Sequence, residues 1–320
     1  MADPAAPIPR VLGVGIATVD IVNRVVVYPP EDAEVRALDQ RVIRGGNVSN
    51  TLVLLRQLGR RCGWAGTLAD DAGAALIRED LGGRGIDLAG AVTATGGATP
   101  TSYIALSRAT GSRTIIHHRD LPELAAVDFA RVPLDDCAWV HFEGRAPAET
   151  AFMIERVHRD RPELPVSIEI EKPRPGLEAL FRASVPRAGR GPRLLILARA
   201  YAAAIGADGD PASFLGTMAS RCDAELLVAP WGARGAYGRL PDGRIVHAPA
   251  HPPAAVVDTL AAGDVFNAAL IDGLLETELE GLDRCAVEAV LARANRIAGH
   301  GCGIQGLDGL IDSARTAGLL

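Results

Sequence analysis

The residue pattern with the clearest chemistry runs from Asp258 to Asp264, in the sequence Asp-Thr-Leu-Ala-Ala-Gly-Asp. The sequence predicts a strand that ends near Val257, a tight turn of small residues, and an amphipathic helix that starts near Gly263. Amide groups at a helix N-terminus bind anions, and the helix dipole favours an ionised carboxylate there. Asp264 is therefore a candidate base beside an anion hole, which is what phosphoryl transfer to an alcohol requires. The motif alone leaves open an ordinary capped helix after a small-residue turn.

A second candidate site lies in the segment Arg44-Gly-Gly-Asn-Val-Ser-Asn50, which precedes an apolar helical pattern. Glycines allow the backbone to approach a ligand closely. Asn47 and Asn50 are three residues apart, so both can project from the first helical turn toward one point. Their amides combine a donor and an acceptor, which suits the vicinal hydroxyl groups of a sugar. A plain glycine turn with an Asn cap is the alternative.

The first predicted strand contains Gly13-x-Gly15 and is followed by Asp20. The third glycine of the dinucleotide fingerprint is missing, so the sequence gives little support to an NAD site. A carboxylate at a strand end can accept hydrogen bonds from sugar hydroxyls, which makes Asp20 a candidate ligand for a sugar. A turn or capping aspartate is the alternative.

Four further segments place polar groups at predicted strand ends or in glycine-rich loops, and none is specific by itself. They are segments 142–145, 169–174, 230–236 and 301–306. Segment 169–174 contains Lys172, the only lysine among 33 basic residues. Where arginine is used everywhere else, a remaining lysine can mark a need for a compact ammonium group rather than a planar guanidinium. Chance survival of the lysine is the alternative.

Short apolar runs alternate with helical patterns along the chain, which predicts an α/β fold with a central, mostly parallel sheet flanked by helices. The predicted strands are 11–16, 22–27, 102–106, 114–117, 139–142, 166–170, 194–197 and 225–229. The predicted helices are 48–58, 72–84, 149–158, 212–221, 263–276 and 285–298. Segments 20–43 and 99–119 interrupt the alternation with two hairpins. We expect one domain over residues 1–320, with these hairpins forming a small β lid; a surface loop is predicted at 185–193.

The bulk composition excludes several classes of protein. The formal charge of −6 argues against a nucleic-acid partner. No apolar run approaches the ~18 residues of a membrane span, and the first residues lack the pattern of a secretory signal. The five cysteines are dispersed and odd in number, which is typical of reduced thiols rather than of a disulfide framework or a zinc site. We therefore expect a cytoplasmic protein with no membrane partner.

The order of these motifs resembles the ribokinase-type carbohydrate kinases of the phosphofructokinase-B family, and within that family the ketohexokinase group. The resemblance covers about residues 10–310, and Asp258–Asp264 is its most specific element. The segments that carry it are 28–32, 44–50, 113–115, 141–145, 169–174, 258–264 and 302–306. It implies a ribokinase-like fold and ATP-dependent phosphorylation of the C1 hydroxyl of D-fructose, with Mg²⁺, a potassium-responsive active site and a homodimer that interlocks through the lid.

The resemblance also implies roles for individual residues. Catalysis is assigned to Asp264 as the base, with the anion-hole residues Ala261, Ala262 and Gly263 and with Lys172. The sugar is assigned to Asp20, Gly46, Asn47, Asn50, Glu143 and Arg145, and Asp32 is expected to reach the sugar site of the other subunit. The nucleotide is assigned to Arg113, Gly232, Ala233, Arg234, Gly235, His251 and Cys302. A monovalent cation is assigned to Asp258 and Thr259.

Three features depart from the family pattern. Ala261 stands where glycine is usual, which is acceptable only if its φ is negative. The Asn-x-x-Glu motif used near Mg²⁺ is absent around residues 198–201, which leaves Glu143 or Glu171 as candidate carboxylates. His251 replaces an aromatic residue. The alternatives are a kinase for another sugar, nucleoside or phosphosugar, a sugar-binding regulator on an inactive kinase scaffold, and an NAD oxidoreductase. A phosphosugar needs basic residues near Asp20, and Arg44 is the only near candidate in the sequence.

Overall fold

The structure is a computed structural model that describes residues 9–183, 194–222, 224–277 and 282–320. The loop predicted at 185–193 lies outside the described residues. The described strands are β1 (Arg10–Val14), β2 (Thr18–Val25), β3 (Asp39–Gly45), β4 (Arg61–Leu68), β5 (Ile86–Thr93), β6 (Ala98–Ser107), β7 (Arg113–Asp120), β8 (Cys137–Glu143), β9 (Val166–Ile170), β10 (Leu194–Leu197), β11 (Leu226–Pro230), β12 (Ala236–Arg239) and β13 (Ile245–Ala248). The described α-helices are α1 (Asn47–Gln57), α2 (Ala72–Gly83), α3 (Ala126–Phe129), α4 (Pro147–Asp160), α5 (Leu177–Ala183), α6 (Arg199–Ala204), α7 (Pro211–Ala219), α8 (Ala262–Leu275), α9 (Arg284–Cys302) and α10 (Leu310–Thr316).

The larger sheet has the strand order β13-β12-β11-β10-β9-β8-β1-β4-β5. Its strands run parallel from β11 to β5, and β12 and β13 add an antiparallel edge. Strands such as β9 are buried along their whole length, because helices cover both faces of the sheet. One face packs against α1, α8 and α9, and the other packs against α4, α5 and α7. The predicted mostly parallel sheet flanked by helices is confirmed.

Four strands, β4, β5, β12 and β13, are not predicted from the sequence. Glycine and alanine interrupt the first three of them, and these residues have low strand propensity. β4 forms because β1 and β5 pair with it on either side. The predicted strand end near Val257 is wrong: this residue lies in an irregular segment, where its amide donates to the carbonyl oxygen of Cys302 at 2.8 Å.

A smaller, four-stranded sheet has the order β3-β2-β6-β7. Its hairpins β2–β3 and β6–β7 are antiparallel, and the parallel pair β2–β6 joins them. One face carries Val22, Ile104 and Leu106, which pack with Leu260 in the loop before α8. We call this the inner face and the opposite one the outer face. The contact with Leu260 places the inner face over the start of α8.

Within the ranges that the structure describes, none of the helices has the length and apolarity needed to cross a membrane.

Candidate active site

Asp264 lies in the first turn of α8 and is only 6% exposed. The Nδ2 of Asn50, on α1, donates to Oδ2 of Asp264 at 2.8 Å. The guanidinium of Arg44 donates to Oδ1 of the same amide at 2.7 Å, so the amide is oriented with its nitrogen toward Asp264. Arg44 is itself held by the carboxylate of Asp80 on α2 at 2.6 Å. The sugar-site motif and the catalytic motif predicted from the sequence therefore meet through one side-chain hydrogen bond.

The turn before α8 has a left-handed residue at Ala261, with φ 61° and ψ 10°. An alanine in this conformation costs roughly 1–2 kcal/mol, because its Cβ crowds the backbone. In the first helical turn the amides of Gly263 and Asp264 have no described partner, as is usual at a helix N-terminus, whereas the amide of Ala262 donates to the carbonyl oxygen of Thr259 at 3.5 Å. A Cβ added at Gly263 would meet nothing within 4 Å. The space on this side of Gly263 is therefore open.

Two glutamates at the ends of neighbouring strands lie near Asp264, and their carboxyl groups are almost completely buried. Glu143, at the end of β8, accepts hydrogen bonds from the amides of Val48 at 2.7 Å and Ile16 at 3.3 Å. Burial raises the pKa of Glu143 to about 7. Burial and the charge of Glu143 raise the pKa of Glu169, on β9, to about 8.

Burial and the charge of Glu169 also raise the pKa of Asp264 well above its ordinary value. Carboxylates this close cannot all be ionised without a compensating charge. Glu143, Glu169 and Asp264 therefore titrate as an interacting group. Within the described residues, Oε2 of Glu169 and both side-chain polar atoms of Asn267 are buried without a hydrogen-bond partner.

Asp20, on the inner face, accepts a hydrogen bond from the Thr18 hydroxyl at 2.8 Å. Burial raises the pKa of Asp20, while hydrogen bonds from Thr18 and Ser102 lower it in part. A Cβ at Gly45 would lie 2.0 Å from Oδ2 of Asp20. Gly46 has φ 105° and its own Cβ would lie 2.5 Å from a backbone oxygen. Glycine is thus required at position 45 for the approach of Asp20, and at position 46 for the approach of the backbone at Ile16 and for the positive φ.

A cavity of about 460 Å³ lies between β3 of the smaller sheet and the loops before α8 and α10. Asp20, Asn50, Asp258 and Ala261 line it together with Arg44. A narrower cavity of about 10 Å³ lies at the ends of β8 and β9, which is close to the space of a single water molecule. Its lining residues are Asn47, Glu143, Gly144, Arg145, Glu169, Glu171 and Arg174.

The other residues predicted to act on the sugar or the phosphates lie farther apart. Arg145 is held by ion pairs with Glu123 at 2.7 Å and Glu143 at 3.6 Å. The Lys172 side chain is 63% exposed and lies 3.3 Å from Glu171; among the described contacts, none joins it to Asp264. Asp32 lies in an exposed turn with φ 60°.

The residues predicted to bind the nucleotide lie in loops beyond β7, β11 and α9. Arg113 donates to the hydroxyl of Thr259 at 2.9 Å, across from the smaller sheet to the loop before α8. Residues 232–234 form a single turn of 3-10 helix, and Gly235 follows with φ 81°. The Arg234 guanidinium donates to backbone oxygens at 208 and 209. His251 lies in an irregular segment, with its carbonyl facing Gly299.

Cys302 ends α9, and its carbonyl accepts from the amides of Val257 and Asp258 at 2.8 and 3.2 Å. Cys302 and Arg113 therefore both contact the loop before α8, at residues 257–259. Burial, followed by the charge of Asp258, raises the pKa of the Cys302 thiol.

The predicted site for a monovalent cation has competing donors. The carboxylate of Asp258 accepts from the amides of Leu260 at 2.9 Å and Gly306 at 3.3 Å, and Arg41 lies 3.6 Å away. A cation held by this carboxylate would have to compete with these donors. Among the described residues, no three His, Cys, Asp or Glu side chains are grouped so that they could hold a metal ion. This leaves room for Mg²⁺, which uses one or two carboxylates together with substrate phosphates and waters.

Four residues near the site are not among the predicted site residues. Glu169 belongs to segment 169–174, and Asn267 follows Asp264 by three residues on the same helix, so both had a signal in the sequence. Ser102 and His117 had none, because they become neighbours only through the register of β6 and β7, where the Ser102 hydroxyl and the His117 Nδ1 are 3.2 Å apart.

Comparison with known proteins identifies the family. The model of the pfkB family of carbohydrate kinases matches residues 10–142 and 215–305. Ketohexokinase of Mus musculus is 36% identical over 94% of this chain and 99% of its own length. An ATP-dependent ribose-1-phosphate kinase of Halopiger xanaduensis is 28% identical over 86% of this chain and 90% of its own length.

The fold is also that of a solved ribokinase from Arabidopsis thaliana, described as complexed with ribose and ATP. Its TM-score is 0.73 at 20% identity, and the match covers 93% of this chain and 94% of that one. At this identity the likeness concerns the fold alone. Taken together, the matching family model and the ketohexokinase relative show that the chain belongs to the pfkB family of carbohydrate kinases and is a sugar phosphotransferase.

Proposed function

We propose that this chain transfers the γ-phosphoryl group of ATP to the C1 hydroxyl of D-fructose. The observation that carries the proposal is the hydrogen bond between Asn50 and Asp264 at the start of α8, in a chain 36% identical to a ketohexokinase. It joins a sugar-binding amide to a buried carboxylate beside free helical amides. That combination supports a site in which the sugar hydroxyl would lie between a base and an anion site.

In this reaction Asp264 accepts the proton of the attacking hydroxyl, while the amides of Gly263 and Asp264 stabilise charge on the transferred phosphoryl oxygens. Asp20, Asn47 and Asn50 bind the remaining hydroxyls of the sugar. Inward movement of the smaller sheet, with Leu260 beneath it, excludes water from the site. Glu143 has a positioning role, because its carboxylate accepts from the amides of Ile16, after β1, and Val48, at the start of α1, and so holds these two segments together.

We propose that ATP lies along the loop at 232–235, next to His251 and Cys302, with Arg113 and Lys172 directed at its phosphates. Mg²⁺ supplies positive charge to the β- and γ-phosphates when it is bound with the nucleotide. Glu171 is half-exposed at the edge of the narrow cavity and is the carboxylate best placed to face such a complex, whereas Glu143 is already engaged by two backbone amides. Potassium dependence at Asp258 and Thr259 remains a prediction.

We further propose a homodimer formed through the smaller sheet. A row of paired residues crosses its outer face: Ile21 pairs with Val42 on one side and with Tyr103 on the other, and Tyr103 pairs with Ile116. The exposed fractions are 51% for Val42, 49% for Tyr103 and 66% for Ile116. A row of exposed apolar side chains on a sheet favours burial against another surface. Light scattering should give a dimer for the wild type and a smaller mass for Ile116→Asp. Phe152→Asp, at an equally exposed apolar residue on α4, is the control that keeps the wild-type mass.

A second candidate function is phosphorylation of a phosphosugar. The relative from Halopiger xanaduensis is described as a ribose-1-phosphate kinase, and Arg145 and Arg174 line the narrow cavity together with Asn47. An arginine guanidinium near a sugar-binding amide would bind the phosphate group of such a substrate. Arg145, however, already has two carboxylate partners, which favours the neutral sugar.

A substrate panel separates these functions. The purified chain with ATP, Mg²⁺ and K⁺ is offered fructose, ribose, tagatose, adenosine and ribose 1-phosphate, and the product is identified by NMR. Fructose 1-phosphate as the main product supports the proposal. A 6-phosphate product, or a higher kcat/KM for any other member of the panel, would overturn it.

A further inference from the structure

A row of three polar side chains crosses the inner face of the smaller sheet. Asp20 on β2 pairs in register with Ser102 on β6, and Ser102 pairs with His117 on β7. Residues paired directly across strands lie on the same face of a sheet. The row therefore shares its face with Ile104 and Leu106, which pack onto Leu260. His117 thus faces the proposed sugar site, although it lies 97 residues beyond Asp20 in the chain.

The hydroxyl of Ser102 connects the two ends of this row. It lies 3.2 Å from Nδ1 of His117, and beside its register neighbour Asp20 it lowers the pKa of that carboxyl and so favours the ionised form. A serine has only one hydroxyl proton. Because the ionised carboxylate of Asp20 accepts hydrogen bonds but donates none, the serine proton is directed at Asp20. The Ser102 oxygen must then accept from Nδ1–H of His117.

This order of donors fixes the tautomer of the imidazole. When Nδ1 carries the proton of a neutral histidine, Nε2 has a free lone pair and can only accept. The imidazole remains neutral because its pKa is lowered by partial burial and by the charges of Arg145, Arg119 and Lys172, against the opposing charge of Asp20. A neutral imidazole nitrogen with a free lone pair can accept the proton of a sugar hydroxyl.

We propose that His117 is a specificity-determining residue whose Nε2 accepts a hydrogen bond from a sugar hydroxyl remote from the one that is phosphorylated. For fructose attacked at O1, this is the hydroxyl at C6. The inference rests on the proposed function, because it takes Asp20 and Asp264 to hold one sugar between them. It deepens that function by stating which end of the sugar is recognised and by which kind of group.

The kinetic test compares D-fructose with 6-deoxy-D-fructose and 6-deoxy-6-fluoro-D-fructose in the wild type and in variants. Loss of one neutral hydrogen bond corresponds to roughly tenfold in kcat/KM. His117→Leu should lose about that factor for fructose, mainly through KM, and almost nothing for the two analogues. His117→Gln, whose side-chain oxygen can accept from the same hydroxyl, should recover part of the loss. His118→Leu is the matched control. The His118 side chain lies on the outer face, so its replacement should leave kcat/KM unchanged for all three sugars.

Equal losses for all three sugars in His117→Leu, or no loss for fructose, would overturn the inference. The fluoro analogue discriminates further, since fluorine cannot donate: if the wild type used it as well as fructose, Nε2 would not be an acceptor. A measurement independent of activity is the ¹⁵N spectrum of labelled histidine, with the His117 signal assigned through His117→Gln. Protonated Nδ1 and bare Nε2 are expected, with a shift of Nε2 on addition of fructose; protonated Nε2 contradicts the inference.

The two proposals fail in different ways. If the wild-type protein produces no fructose 1-phosphate, the proposed function fails before any variant is compared. If the wild type makes fructose 1-phosphate but His117→Leu behaves as His118→Leu does, only the role of His117 fails.

Discussion

Nδ2 of Asn50 lies 2.8 Å from Oδ2 of Asp264, although 214 residues separate them in the chain. The opposite end of the same amide accepts from Arg44, so the amide cannot turn its oxygen toward the carboxylate without losing two hydrogen bonds. The first turns of α1 and α8 are thereby joined at the point where a hydroxyl would be deprotonated.

Replacement of the proposed base should separate binding from chemistry. Asp264→Asn retains the shape and the contact with Asn50 but cannot accept a proton. We expect kcat to fall by roughly 10²–10⁴ while fructose still binds, because proton-transfer catalysis has that magnitude. Stopped assays give kcat, and calorimetry gives the sugar affinity. Full activity in this variant would exclude Asp264 as the base.

Glu169→Gln should change the pH dependence of the reaction. The charge of Glu169 is, after burial, the largest cause that raises the pKa of Asp264. Its removal should lower that pKa, so the acidic limb of the kcat/KM profile should move to lower pH, because Asp264 must be ionised to accept a proton. Glu171→Gln, which removes a weaker contributor to the same shift, is the comparison and should move the limb less. A limb that stays in place or moves upward would show that Glu169 does not control the ionisation of Asp264.

Ala261→Gly should relieve backbone strain at the turn before α8. Glycine tolerates φ near the observed 61°, so we expect stabilisation by about 1 kcal/mol or no change. Ala262→Gly, one residue later at the first helical position, should instead destabilise by up to ~1 kcal/mol, because the backbone there is helical. Urea unfolding of the two variants gives both values. A clear loss of stability in Ala261→Gly would mean that its methyl group makes a contact of greater value than the strain.

Lys172→Arg tests whether the only lysine is there by function or by chance. The side chain is mostly exposed and its ion pair with Glu171 is 3.3 Å long, so folding stability should change by less than ~1 kcal/mol. If the ammonium contacts phosphates when the site closes, KM for ATP should rise severalfold in Lys172→Arg and more in Lys172→Met, with little change in KM for the sugar. Unchanged kinetics in both variants would remove the phosphate role.

His141 should make the fold sensitive to acid. It is fully buried on β8, its Nδ1 lies 2.8 Å from the hydroxyl oxygen of Ser167, and burial lowers its pKa to about 4. Between pH 6.5 and 4 the histidine is protonated in the unfolded chain but neutral in the folded protein. The contribution of His141 to folding stability therefore falls as the pH falls. The full loss is about 3 kcal/mol.

The variant His141→Gln isolates this effect, even if it is less stable at neutral pH. The difference in the free energy of unfolding, variant minus wild type, should increase by up to that amount as the pH is lowered from 6.5 to 4, so that the variant becomes more stable relative to the wild type. Glu143, whose raised pKa has the opposite sign in this range, is present in both proteins and cancels in the difference. Parallel pH profiles for the two proteins would mean that His141 is not buried as a neutral ring.

The sequence by itself determines the element types and the chemistry of the two main motifs. Strands β9 and β10 match their predicted bounds, because a strand buried on both faces reads as one continuous apolar run. The helices α1 and α8 are predicted within about a residue at each end, since glycine and small residues mark where each begins. Asp264, Asn47 and Asn50 can be identified as candidate site residues from the sequence, because each lies within a short motif at the predicted start of a helix.

Only the tertiary structure decides how these parts meet. The pairing of β4 with β1 and β5 converts a glycine-containing segment into a strand, which no local propensity could indicate. The raised pKa values of Glu143, Glu169 and Asp264 arise because two strand ends and one helix start bring the three carboxyl groups together in the interior. The alignment of Asp20, Ser102 and His117 depends on the register of three strands, and a shift of one residue would turn each side chain to the opposite face.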